Sequence, residues 1–216
     1  MNPAVRTACA GNRKADTMIQ HEELTHLFRD PPVLDTPRLY LRKMLKKDSA
    51  DMYEYACQKE VTRYLLWEPH ESEAYSQKYL SYLQSRYRAG DFYDWAVIWR
   101  ETGKMIGTCG FTRFNTDANS AELGYVLNPS FWGMGIAPEA VRAVMRFGFT
   151  ELQLHRLEAR YMVGNDQSRR VMEKVGMTFE GVNRDSMFVK GNYVSIGICA
   201  ILLPDYRKLY GTAEQD

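Results

Sequence analysis

The 216-residue sequence has little cysteine, and what it has is scattered. Cys9, Cys57, Cys109 and Cys199 are far apart, and neither a Cys-x-x-Cys nor a His-x-x-x-His pair occurs. Without such spacing a local metal cage or redox centre is excluded, so reduced thiols and no bound metal are expected. Long apolar runs are also missing. The longest, Ile198 to Leu203, falls far short of the roughly 20 residues that span a bilayer, and the N-terminus lacks the apolar core of a secretion signal. No membrane partner and a cytoplasmic location are expected. Charge of one sign is lacking too: 28 Lys+Arg stand against 27 Asp+Glu, a net charge of +1, without the positive excess of a dedicated nucleic-acid binder. Finally, no Gly-x-x-x-x-Gly-Lys-Ser/Thr exists, which removes P-loop nucleotide hydrolysis.

What is present is an ordinary globular composition, 45% apolar and 25% charged, long enough for one substantial core. The first seventeen residues are polar and patternless, so Met18 reads as the natural start; a mature mass that includes residues 1–17 would refute this. Leu24, Leu27 and Phe28 share one helical face, and Pro31-Pro32 ends that piece. We expect an N-terminal extension over 1–33, partly helical or disordered, a single domain over 34–206 and a C-terminal tail over 207–216.

Within the domain, Arg38 to Met44 alternates as a strand, Asp48 is placed to N-cap a helix carrying Met52, Tyr55 and Ala56, and a second helix runs from Glu73 to Arg88. Strands follow at Trp95 to Trp99, Met105 to Phe114 and Glu122 to Leu127. An amphipathic helix from about Pro138 to Thr150 leads to a strand at Arg156 to Val163 and a short helix from Asp166 to Val175, closed by Gly176. Phe179 to Val182 and Met187 to Leu203, broken at Gly191-Asn192, supply the last strands. A helical crossover joins parallel neighbours and hairpins join antiparallel ones. The expected fold is therefore α/β, a mostly antiparallel mixed sheet with one parallel pair, flanked by helices.

The most informative stretch lies between a strand and a helix: Asn128-Pro-Ser-Phe-Trp-Gly-Met-Gly-Ile-Ala-Pro138. Gly133 and Gly135 allow a tight turn that exposes backbone N–H groups at a helix N-terminus, where a diphosphate can rest without lysine. The dinucleotide fingerprint Gly-x-Gly-x-x-Gly does not fit, because its third glycine falls on Pro138 and the preceding strands look like hairpins.

Trp132-Gly-Met-Gly-Ile-Ala137 resembles the acetyl-CoA loop of the GNAT N-acetyltransferases, with Trp132 in place of the usual Gln/Arg. That replacement is familiar in the branch acting on ribosomal-protein alanine. Thr36-Pro-Arg-Leu-Tyr-Leu-Arg42, Ala121 to Pro129, Leu154 to Ala159 and Asn165 to Gly176 are similar to other segments of that branch, and the likeness covers about Leu34 to Tyr206. The resemblance implies a GNAT fold whose strands Glu122 to Leu127 and Arg156 to Val163 splay apart to admit the pantetheine arm of acetyl-CoA. It implies a cofactor site from Val126, Leu127, Trp132, Gly133, Met134, Gly135, Ile136, Ala137, Asn165 and Ser168, with Arg169 or Arg170 near the nucleotide phosphates. No metal is implied.

Acyl transfer from a thioester to an amine needs an oxyanion donor, a base and a proton for the departing thiolate. The donor is expected in the backbone N–H of Val126 or Leu127, and the proton in Ser168, since the tyrosine that serves other GNAT enzymes is matched here by Met172. Glu122 is the base candidate; Asp185 is an alternative, Met187 replaces an acid some relatives carry, and His155 reads as structural. Trp67 and Glu68 are candidates for holding the acceptor. Two acceptors stay open, a protein N-terminus and a small-molecule amine, as does a non-catalytic acetyl-CoA-binding role; a homodimer is a further partner expectation.

Overall fold

A computed structural model describes residues 18–211, so the reading of Met18 as the start concerns residues outside that range. In chain order, α1 (His21–Phe28) precedes a short antiparallel pair, β1 (Leu34–Asp35) and β2 (Leu39–Arg42). Helices α2 (Ser49–Ala56), α3 (Lys59–Thr62) and α4 (Glu73–Ala89) follow. The Ser72 side chain caps α4 by accepting from the Tyr75 N–H, and Gly90 ends it at φ 76°. Asp48 was expected to cap α2 in the same way. Instead its carboxylate accepts from the Leu45 N–H and makes a two-pronged ion pair with Arg42, because it is almost fully buried beside that guanidinium.

β3 (Tyr93–Trp99), β4 (Met105–Asn115) and β5 (Ser120–Leu127) form an antiparallel meander. The crossover helix α5 (Ile136–Thr150) leads to β6 (Arg156–Met162), which runs parallel to β5. After α6 (Asp166–Lys174) the chain makes one long hairpin, β7 (Thr178–Val189) with β8 (Asn192–Leu202), and ends in α7 (Leu203–Tyr210). The two short runs expected before Gly191 join through register shifts into the single strand β7. The eight strands are ordered β1-β2-β3-β4-β5-β6-β8-β7, a mixed sheet with one parallel pair.

That pair is incomplete. β5 and β6 are in register from Ser120 with Arg156 to Leu123 with Ala159, and there the ladder stops. Beyond it β5 stays paired to β4 as far as Leu127, and β6 stays paired to β8 as far as Met162. The two strands therefore part while each remains fixed on its outer side.

Both faces of the sheet are covered, which explains why β3 lacks a clean alternation of exposed and buried residues. Trp95 and Val97 point into the larger core, beneath α1, α5 and α6, while Ala96 and Ile98 point into a second core beneath α2 and α4. The first extends further toward the N-terminus than the expected domain boundary at Leu34. Ile19, Leu24 and Phe28 are fully enclosed, and Phe28 packs edge-on against Tyr93 and Trp95 at 4.9 and 5.4 Å between ring centroids. At the other end, α7 runs past 206 with Tyr206 buried against Phe149. The packed body thus spans at least Ile19 to Tyr206.

Phe28→Ala should cost about 3–5 kcal/mol of unfolding free energy, the range for emptying an aromatic site in a closed core. Urea unfolding measures it. A loss below about 1 kcal/mol would mean that α1 is an appendage.

Candidate active site

A cavity of about 710 Å³ opens where β5 and β6 part. Its floor is the sheet, from Asp94 and Thr108 to Gly124 and Val126, and its walls are α2, α4 and the loop Tyr64 to Glu71. Met187 and Ile196 of the last hairpin close a further side. Tyr125, Asn165 and Ser168 also line it, although α6 lies on the opposite face of the sheet. The cavity therefore passes through the sheet at the parting.

Alternation decides which main-chain groups face that passage. The Asn128 N–H donates to the Ile106 carbonyl of β4, so the neighbouring Leu127, and Tyr125 two residues before it, turn their N–H and C=O groups the other way, toward the gap. The Leu127 carbonyl accepts the Trp132 indole N–H at 2.8 Å, which confirms its direction. Val126, named with Leu127 as an oxyanion donor, has its backbone in the β4 ladder.

The loop after Leu127 is open to solvent at Trp132, Gly133 and Met134. Gly133 and Gly135 sit at φ 75° and 74°, where a side chain is strained, and Gly135 is the N-cap of α5. The first bond of that helix is Glu139 N–H to the Gly135 carbonyl, so the N–H groups of Gly133 to Ala137 precede the ladder; Pro138 has none to leave unpaired. Arg38 braces this loop. Its guanidinium donates to the Met134 carbonyl and to Glu139 in the first turn of α5, and Thr36 donates to the same carboxylate. Burial pushes the Glu139 carboxyl up, but the hydrogen bonds from Thr36 and Arg38 outweigh it and hold it below the usual range.

On the other side of the passage Asn165 caps α6 by accepting from the Ser168 N–H. The Tyr125 hydroxyl donates to the Ser168 carbonyl at 2.8 Å and lies 2.9 Å from the Ser168 hydroxyl. Burial keeps this phenol protonated well above its ordinary range, a shift the Ser168 bond only partly offsets. Met172, one turn on, is enclosed in the core.

Glu122 borders the cavity, but one of its oxygens is shared between Arg113 at 2.9 Å and Arg160 at 3.2 Å. It belongs to a lattice with Glu158, Arg156 and Glu180. Trp67 and Glu68 lie on the rim loop; Trp67 stacks obliquely on His70, and Glu68, mostly exposed, faces Lys190 at 3.7 Å. The other candidates stand apart. Asp185 is exposed and bonded to Ser195, His155 lies exposed at the far end of β6, and Arg169 is paired with Glu173 and stacked on Phe179.

One acid escaped the sequence reading. Asp94 shares a strand face with Ala96 and Ile98, so its carboxyl is directed at the second core, where Tyr55, Tyr79 and Tyr87 surround it. Burial lifts it to about 7, against the pull of bonds from Thr108 and the Trp95 N–H. The signal was an aspartate in phase with the apolar residues of a strand. Tyr79 is pushed up to about 12 by burial and by Asp94, and burial lowers the His70 imidazole.

A family model described as an acetyltransferase (GNAT) domain matches residues 38–178. The chain is similar to the uncharacterized N-acetyltransferase p20 of Bacillus licheniformis, 32% identical over 173 residues that make up 80% of this chain and 97% of the relative. It is 24% identical over 181 residues to the [ribosomal protein uS5]-alanine N-acetyltransferase of Escherichia coli (strain K12), covering 80% of this chain and 92% of that one. Among solved structures, a GNAT-family acetyltransferase from Bacillus anthracis superposes with a TM-score of 0.72 at 26% identity, over 80% of this chain and 99% of that chain.

Asp94 should leave a mark on stability. A carboxyl raised to about 7 keeps a proton in the folded state that the unfolded chain loses near pH 4, so its contribution falls as pH rises between those values. Asp94→Asn lacks that penalty. The difference in melting temperature between variant and parent should therefore grow in the variant's favour from pH 4.5 to pH 8, measured by thermal unfolding at about five pH values; a flat difference would contradict it.

Proposed function

This chain belongs to the GNAT acetyltransferase family, and we propose that it transfers the acetyl group of acetyl-CoA to the N-terminal α-amine of a protein. The passage between β5 and β6, with the open glycine loop at the end of β5, is the observation that carries this reading. A diphosphate accepts from the N–H groups of Gly133 to Ala137, with Trp132 and Met134 beside it, and the helix dipole of α5 adds favourable charge. Arg38 and Glu139 keep the loop in place, so the donors are set before the substrate arrives. The pantetheine arm then runs through the parting and pairs with the strand edges of Tyr125 and Leu127 as an added strand would.

At the thioester, the Leu127 N–H is the oxyanion donor, since it faces the gap and the indole bond on its own carbonyl fixes the peptide plane. The Ser168 hydroxyl, at the start of α6, supplies a proton to the departing sulfur and is held in place by the Tyr125 phenol it touches. Glu122, tied to two guanidiniums, shapes the wall. A protein terminus is favoured over a small amine by two things. The relative that acts on ribosomal protein uS5 aligns along 80% of this chain, and the acceptor side is open and lined by Trp67 and Glu68 on a rim loop, room for a chain that continues outward.

Thiol release in the presence of acetyl-CoA should be seen with peptides beginning in Ala or Ser and be weak with polyamines and aminoglycosides; turnover with the small amines alone would overturn the protein acceptor. With an accepted peptide, Ser168→Ala should lower kcat by about 10²-fold or more, the range for a lost general acid. Unchanged kcat would remove Ser168 from the chemistry.

A further inference from the structure

We propose that Asp94 is the base that takes the proton from the acceptor amine. This rests on the acetyl-transfer reading and names the group on which its acceptor half depends.

Four acids border the cavity: Glu68, Glu71, Asp94 and Glu122. Glu68 and Glu71 are exposed at the rim, and Glu122 is held by Arg113 and Arg160. Asp94 alone lies on the floor, and among the described residues no lysine or arginine forms an ion pair with it. Gly110, opposite it in β4, is what admits the carboxylate: a Cβ there would come within 2.7 Å of Asp94 Oδ1 and 2.4 Å of its Cα. The groups that face it are the phenols of Tyr55 from α2 and of Tyr79 and Tyr87 from α4, and the Thr108 hydroxyl, while the Cys109 thiol on β4 lies in the core on the other face of the sheet. Burial raises every phenol and the thiol, so near neutrality Asp94 is the group on this floor that changes charge.

The proton balance is complete without another reactant. An incoming ammonium gives one proton to Asp94 and becomes the nucleophile. Its lone pair forms the C–N bond at the thioester carbonyl, and the C–S pair leaves with sulfur. The second proton lost by nitrogen makes good the one that Ser168 hands to the thiolate. Asp94 then releases its proton to solvent, so one H⁺ appears per turnover.

The test compares wild type with Asp94→Asn, using acetyl-CoA calorimetry and thiol release from acetyl-CoA with Ala- and Ser-starting peptides and simple amines, from pH 5.5 to 9. Acetyl-CoA should bind both proteins equally, which also shows that the variant is folded. The kcat of the variant should fall 10²-fold or more. The acidic limb of kcat/KM, centred near 7 in the wild type, should shift to the ionisation of the amine itself, near 8 for an N-terminus. Asp94 is not the base if the variant keeps kcat within threefold, retains the limb near 7, or loses acetyl-CoA binding. If the wild type turns over none of the amines, the transfer reading falls and this assignment falls with it.

Discussion

The parting of β5 from β6 after Leu123 and Ala159 is the constraint on which the rest depends. Buried backbone N–H and C=O groups without partners are costly, so a sheet opens in its middle only where other groups take up the freed bonds. Here they do so locally. The Trp132 indole takes the Leu127 carbonyl, the Asn165 N–H takes that of Met162, and each strand keeps its outer neighbour. α6 begins beside the gap, and its first turn is tied to β5 through the Tyr125 hydroxyl. Among the described residues, groups on the inner strand edges around Tyr125 and Leu127 are left for the strand-like substrate proposed above to match.

The same opening joins two sides of the molecule that the cores otherwise separate. On the face beneath α5 and α6 the packing is dense and aromatic, and the glycine loop is held to it through Arg38, Thr36 and Glu139. On the face beneath α2 and α4 the second core is smaller and gives way to the cavity. On the proposed reading, the nucleotide-bearing substrate is held on main chain at one side and the acceptor enters from the other past the polar and aromatic side chains of the rim loop, which is anchored at His70 by its bond to Ser76. Precise positioning and variable acceptor contacts are divided between the two faces.

Much of this was legible in the sequence because periodicity reports burial. The strands from Tyr93 to Leu127, the crossover helix and the glycine loop all stand where alternation, helical spacing and turn residues put them. Other features were not, for physical reasons. The charge of Asp48 was matched to a helix start when its real partner, Arg42, lies on β2, and nothing local announces a tertiary ion pair. Helix α1 looked peripheral because eight residues cannot show which core they enter; only the sheet beneath reveals why Phe28 is aromatic. Glu122 was the acid on the strand entering the loop, yet its place in the sequence said nothing of Arg113, one strand away, or of Arg160, brought alongside by the parallel crossover. Asp94 was overlooked because the apolar run places the strand's start at Trp95, one residue beyond it, whereas the strand begins at Tyr93.

That acid also shows how the site and the stability of the fold oppose each other. A carboxyl enclosed by phenols and without a cation destabilises the protein once it ionises, and an arginine beside it would remove that cost. Arg113 on β4 and Arg156 and Arg160 on β6 supply such cations to Glu122, Glu158 and Glu180 instead. Beside Asp94 stand Tyr55 and Tyr79, whose hydroxyls stay protonated. An ion pair would hold Asp94 as an anion with little affinity for a proton; the aromatic enclosure leaves it able to gain and lose one near neutral pH. The cost in stability and the capacity for proton exchange thus have one origin, the absence of a positive charge on the floor.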